Sequence, residues 1–205
     1  MTQPALPLID DATSAQLRVH LDACRSSHDR ICPRQVLGVR VGMAGTAALG
    51  EEVTAETKRL LAIVETDGCF VSGLEAATGC RVGHRTLRVH DVGRIAALFV
   101  DVETERAVRV CPRPGVRDRV EPWAPDEKGR YQRMLRAYQV MPDAELLRVQ
   151  EVRLRRPVSE IVSRPHVRVT CATCGEEVIN EREVERDGRV LCRVCAGDPY
   201  FDLVR

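Results

Sequence analysis

Arg59-Leu-Leu-Ala-Ile-Val-Glu65-Thr-Asp-Gly-Cys69-Phe-Val-Ser-Gly-Leu-Glu-Ala-Ala-Thr78-Gly79 contains the change of pattern on which the fold turns. Its first seven residues are short, apolar and β-compatible, which predicts a buried core strand. Glu65 to Gly68 then supplies a turn, and Phe70 to Thr78 reads as a small-residue helix stopped by Gly79. A strand feeding directly into a helix puts both kinds of element around one core. Upstream, Val36, Leu37, Val39, Met43, Ala44, Ala47 and Ala48 follow helical spacing from Pro33 to Leu49, with Pro33 where a first-turn proline is tolerated. Gly42, Ala44 and Gly45 give that helix a side suited to close packing, against this chain or against a second copy. Ser14 is expected to cap a helix from Ala15 to Arg25, leaving residues 1–13 as a disordered lead-in. Downstream, Thr86–His90, Ile95–Val102 and Ala107–Val110 read as an antiparallel meander. Five residues between Cys111 and Pro125 are proline or glycine, which predicts a loop. A helix is expected over Asp126–Val140, a half-exposed strand over Leu147–Leu154 and a linker over Arg155–Pro165. The sum is an α+β fold: an antiparallel sheet core with packed helices over residues 14–165, and a small module over 166–205.

The chain has 205 residues, 44% of them hydrophobic, enough to bury a real core. Thirty-one basic side chains against thirty acidic ones give a net charge of +1. That balance removes the usual electrostatic case for nucleic acid or an anionic membrane surface. The longest apolar run, Ile95 to Val100, is far short of the roughly 20 residues that span a bilayer. The N-terminal stretch holds Pro4, Pro7, Asp10 and Asp11 where a signal peptide needs an apolar core, so a cytoplasmic protein is expected. Nine cysteines in that compartment stay reduced, and their odd number argues further against a closed disulfide framework. Metal binding and thiol chemistry are left.

Cys171-Ala-Thr-Cys174 and Cys192-Arg-Val-Cys195 form two C-x2-C pairs separated by seventeen residues. Two cysteines three apart on a tight turn can bring both sulfurs within about 2.3 Å of one Zn²⁺, and a second pair completes a tetrahedron. Gly175 supplies a permissive backbone after the first pair, and Asp187-Gly188 offers a hairpin between the two. Four thiolates leave no open position, so this zinc is expected to be structural; a pair of redox dithiols is the alternative. The acidic residues between the pairs disfavour phosphate, leaving fold support or a protein partner as the module's role.

His28-Asp-Arg-Ile-Cys32-Pro33 places two soft ligands four apart before a helix whose free N–H groups and dipole favour a thiolate. Cys69 stands at the strand-to-helix junction, and Cys80 with His84 follows the next glycine stop. These element ends could converge on one cleft, or the cysteines could simply pack. Cys24 reads as a helix residue, Cys111 as a strand end, and His20, His90 and His166 as exposed.

His28-x3-Cys32-Pro33, Leu37-Gly38-x-Arg40-x-Gly42, Ile63-Val-Glu-Thr-Asp67-x-Cys69-Phe-Val71, Thr78-Gly-Cys80 and Asp91-x-Gly93-Arg94, followed by the four-cysteine module, resemble the FmdE-like proteins, a family named for a component of formylmethanofuran dehydrogenase. The resemblance implies an α+β core with a histidine–cysteine cleft, an appended C4 zinc finger and a homodimer. Three positions depart from the pattern: Arg30 replaces a second histidine, Arg34 a glycine, and Gly73 follows Ser72 where an aspartate is common.

The leading expectation is a metal-binding protein with zinc on Cys171, Cys174, Cys192 and Cys195. A second metal would sit in the core on His28, Cys32 and Cys69, with Cys80 as a fourth ligand or neighbouring thiol. Imidazole and thiolate suit zinc, Fe(II) or Cu(I) alike. A redox or metal-dependent enzyme is the second class, with Glu65 or Asp67 as general base. An accessory protein making contact through its zinc finger is the third. Formamide oxidation itself is not expected, because the chain has no ferredoxin-like cysteine run to carry the electrons.

Overall fold

Two strands of the central sheet run parallel because a helix lies between them in sequence. The computed structural model describes residues 8–25, 29–202 and 204. Two helices, α1 (Asp11–Cys24) and α2 (Pro33–Leu49), come first; β1 (Leu60–Val64) then leads into α3 (Cys69–Thr78) and returns as β2 (Leu87–Val89). The crossover sets Ala62 opposite Leu87 and Val64 opposite Val89 in parallel register. β3 (Ala97–Asp101), β4 (Ala107–Pro112) and β5 (Leu147–Val152) add antiparallel neighbours on the other side of β1, giving the order β2-β1-β3-β4-β5. The α+β class holds, but the expected meander is corrected. The Thr86–His90 segment does not pair with the Ile95–Val102 segment, because β1 lies between them.

Several element ends also differ from expectation. α1 begins at Asp11, since Asp10 accepts the Thr13 N–H at 2.8 Å and caps the helix one turn before Ser14. Asp11 to Thr13 are therefore helical, and residues 1–7 of the expected lead-in lie outside the described residues. The proline-rich passage holds two single-turn 3₁₀ helices, Val116–Asp118 and Glu121–Trp123. α4 (Arg130–Val140) starts after Gly129 and is followed by the short α5 (Asp143–Leu146). Gly79 ends α3 with φ 69°, the left-handed turn its position predicts.

The described chain divides into two units, one ending at Leu154 and the other beginning at Arg155. The second holds α6 (Val158–Val162) and four short strands, β6 (Arg168–Thr170), β7 (Glu177–Ile179), β8 (Val184–Arg186) and β9 (Arg189–Leu191). The stretch expected to be a linker thus contributes a helix to the second unit. Arg182 donates to the Ile161 carbonyl at 3.2 Å, and Arg164 pairs with Glu181. Asp187 and Gly188, both at positive φ, make the β8–β9 hairpin turn.

α2 is the axis of the first unit and is buried on nearly every side. A Cβ on Gly38 would fall 2.0 Å from the Phe70 carbonyl oxygen, and one on Gly73 would fall 2.2 Å from that of Gln35. The backbones of α2 and α3 therefore touch, and Gly42 meets Ala77 on the same seam. Gly45 admits the Phe99 ring from β3. The glycine side that could have suited a second copy is filled within this chain.

Arg40, 1% exposed, uses its guanidinium to bind the Tyr138 and Met141 carbonyls at 2.8 and 2.7 Å and the Asp143 carboxylate at 2.7 Å. It thereby closes the C-terminal end of α4 onto α2, where the last carbonyls of a helix lack partners.

Gly38→Ala would gain about 1 kcal/mol of helix propensity at an open site. Here it is expected to cost about 3 kcal/mol by forcing α2 and α3 apart. Denaturant midpoints measure this, with Gly83→Ala, whose new methyl meets nothing within 4 Å, as the neutral control.

Candidate metal centre

In the second unit the ligand atoms of Cys171, Cys174, Cys192 and Cys195 all lie within 4.8 Å of one another, and the Cys174 and Cys192 sulfurs are 4.0 Å apart. A tetrahedral thiolate site with metal–sulfur bonds of about 2.3 Å has sulfur–sulfur edges of roughly 3.8 Å, so the four donors fit one ion. Each pair sits on a tight turn. The Gly175 N–H bonds the Cys171 carbonyl at 3.0 Å, the Ala196 N–H bonds that of Cys192 at 2.9 Å, and the Cys195 N–H points at the Cys192 sulfur at 3.4 Å. Gly175, at φ 76°, turns the chain out of the first pair. Backbone N–H groups of Cys174, Cys192 and Thr173 pull the Cys171 thiol down to about 6. Cys195 is pushed up to about 12 by its hydrogen bond to Cys192 and by burial. One sulfur ionises readily and the last does so only against its neighbours, and a bound cation would reverse that resistance. Cys171, Val178 and Leu191 form the buried cluster here, a core too small to order such a segment alone.

The first unit brings together two of the expected core residues. Cys32 is the N-cap of α2 and Cys69 the first residue of α3. The α2–α3 seam runs from Gln35 against Gly73 to Gly42 against Ala77, so both helices start at the same end. Cys69 stands near Cys32, and both are half-buried. Burial, and then the neighbouring Cys32, push the Cys69 thiol up. Cys24, expected only as a helix residue, is buried nearby. Its thiol donates to the Ser72 carbonyl at 3.8 Å, and it is pushed up by burial and by Cys32. His28 lies outside the described residues.

Cys80 does not join them. It follows the far end of α3, a helix of ten residues and so about 15 Å long. There it is fully buried with its sulfur 4.0 Å from the Leu60 carbonyl. His84, expected beside it, is exposed. Glu65, expected as a general base, is 3% exposed and fully engaged. Arg109 holds both its oxygens at 2.7 and 2.8 Å, and Arg94 adds a contact at 2.7 Å. These guanidiniums, Arg109 first, keep the carboxylate below the ordinary range, which suits an ion-pair anchor and not a proton acceptor. Asp67 is exposed in the turn that follows.

One polar group at this end of α2 had no place in the expectations. Gln35, 0% exposed, accepts the Cys32 N–H at 2.8 Å through Oε1, while its Nε2 has no hydrogen-bond partner among the described residues. The Cys32-x-x-Gln35 spacing is the signal that could have found it, since it is a capping box with cysteine in place of serine or threonine. Nothing local could have found Arg109, which reaches Glu65 across the sheet.

The family model described as FmdE, Molybdenum formylmethanofuran dehydrogenase operon, matches residues 27–148, more than half of the chain. The chain belongs to the FmdE family. A solved structure of a tungsten formylmethanofuran dehydrogenase FmdE-like protein from Syntrophus aciditrophicus is 20% identical, with a TM-score of 0.53 over 90% of this chain and 94% of that one. That likeness shows a shared fold. A curated protein of Archaeoglobus fulgidus, described as a probable S-adenosyl-L-methionine-binding protein, is 37% identical over 86 residues. The match covers 40% of this chain and 24% of that relative, so the chain spans about a quarter of the relative's length.

Because the folded state lowers Glu65 from its ordinary value of 4.5, the stability it contributes is complete above that value and fades as pH falls through the lower folded one. Glu65→Gln, which strands Arg109, is expected to cost about 3 kcal/mol near neutral pH. The gap from wild type should close on acidification below about pH 4.5. Unfolding midpoints followed down in pH check this, and a gap that widened would contradict it.

Proposed function

We propose that this FmdE-family chain is a cytoplasmic metal-binding protein with two sites of different kind. The observation that carries the reading is the mutual approach of four cysteine sulfurs within 4.8 Å in the second unit. Zinc suits them: it accepts an all-sulfur tetrahedron, has no redox chemistry, and supplies the folding energy that so small a core lacks. With every position taken by protein, that ion is structural.

The core site is proposed on His28, Cys32 and Cys69, without Cys80. The donor chemistry fits a soft or borderline ion: two neighbouring thiols, both at helix starts where free N–H groups and the dipole favour negative charge. Three protein ligands would leave a position for an exogenous group, where the ion would supply Lewis acidity. Glu65, held by Arg109 and Arg94, supports metal binding over an enzyme that uses it as base.

Cys174→Ser is expected to lower zinc content by about one equivalent per chain and to open the residues after 165 to protease while the first unit persists. Stoichiometric zinc with unchanged protease resistance would remove the structural assignment. His28→Ala is expected to lower total metal, measured by elemental analysis on protein purified without chelator, by up to about one equivalent without touching the four-cysteine ion. Equal metal content in His28→Ala and wild type would remove the core site.

A further inference from the structure

The α2–α3 seam contains a buried hydrogen-bond donor with nothing to bond. Gln35 stands in the first turn of α2 with its side chain sealed from solvent. Its Oε1 is fixed on the Cys32 N–H at 2.8 Å. The oxygen and nitrogen of a carboxamide are about 2.2 Å apart, so Nε2 lies within about 5 Å of the Cys32 nitrogen. No acceptor among the described residues reaches it. A buried donor left unpaired costs stability, and native proteins rarely keep one without a use. Leucine or methionine would fill the same space without that penalty.

Sulfur is a chemistry at this end of the seam that could satisfy Nε2. The Cys32 side chain begins on the residue whose N–H the same carboxamide grips, and Cys69, the first residue of α3, stands near Cys32. A neutral thiol is a weak acceptor, whereas a thiolate is a strong one. We infer that Gln35 is a positioning residue of the core site: it clamps the Cys32 backbone through Oε1 and, when a metal ion is bound, donates Nε2–H to a ligating sulfur. The inference rests on the core site of the proposed function. It also explains why the donor can be sealed from water, since its acceptor is another side chain of the same seam and not a group arriving from solvent. Outer partners of this kind fix a ligand's orientation and tune its donor strength.

The test is a Co²⁺ titration of the full chain followed by absorption, with Cys69→Ser as the reference whose lost signal defines the core site. Two variants separate the functions of the carboxamide. Gln35→Glu keeps an acceptor for the Cys32 N–H but replaces the donor with a negative oxygen; Gln35→Met keeps the volume and removes both. A donor to sulfur predicts that both variants lose roughly 10- to 100-fold in Co²⁺ affinity at the core site. It also predicts that the sulfur-to-cobalt charge-transfer band that remains moves to longer wavelength, because the sulfur loses a stabilising hydrogen bond. The four-cysteine signal should be unchanged. If Gln35→Glu binds Co²⁺ with wild-type affinity and an unshifted band, Gln35 only caps the helix and the inference fails. Should Gln35→Glu not fold, Gln35→Met decides by the same band position, which capping alone would not move. If wild type and Cys69→Ser give identical titrations, the core metal site fails first, and the Gln35 role falls with it.

Discussion

The contact between the α2 and α3 backbones governs the rest of the first unit. Helices that touch through side chains stand about 8–10 Å apart. Gly38 and Gly73 let these two approach until a methyl group on either would strike a carbonyl oxygen of the other. That seam sets where α3 begins relative to α2, and so it sets Cys69 beside Cys32. It also presses Phe99 of β3 into the space left by Gly45, which fixes the height of α2 above the sheet. The arrangement of thiols is therefore a consequence of glycine placement several residues away from them.

Buried charge organises what the seam leaves open. Arg40 and Glu65 are each almost wholly buried, and each is satisfied by partners distant in sequence. Arg40 satisfies carbonyls at the end of α4 and so seats that helix on the central one. Glu65 marks the end of β1, where Arg109 and Arg94 hold it as the chain turns toward Cys69. Asp101 plays a comparable role at the β3–β4 turn, where Arg59 grips it with two bonds and Thr104 with a third. Ionised and fully bonded, these groups make rigid corners, and rigid corners are what a site built from element ends requires.

The two thiol clusters solve different physical problems. In the second unit four sulfurs gather beside a small apolar cluster, and an ion held by all four would have a closed ligand shell with no entry for chemistry. In the first unit a large apolar core already exists. Cys32 and Cys69 are not among its buried residues, and they stand half-buried at two helix starts. This contrast is the strongest physical reason to read the second unit's cluster as structural and the first unit's as functional.

Much of this was legible in the residues alone. The C-x2-C spacing announced the second unit's sulfur cluster, because metal geometry constrains local turns and local turns constrain local sequence. Strand β1, helix α3 and the Gly79 stop were legible for the same reason: period, turn chemistry and backbone freedom act within a few residues. Only the tertiary structure decided the rest. Cys80 read in sequence as a fourth ligand or a neighbouring thiol, yet the length of α3 carries it to the opposite end of the core. Glu65 looked like a free base until the sheet register brought Arg109 to it. Gly42 and Gly45 looked available to a second copy until α3 and Phe99 filled them. In each case the deciding partner is far away along the chain, and no local pattern encodes which distant residue will arrive.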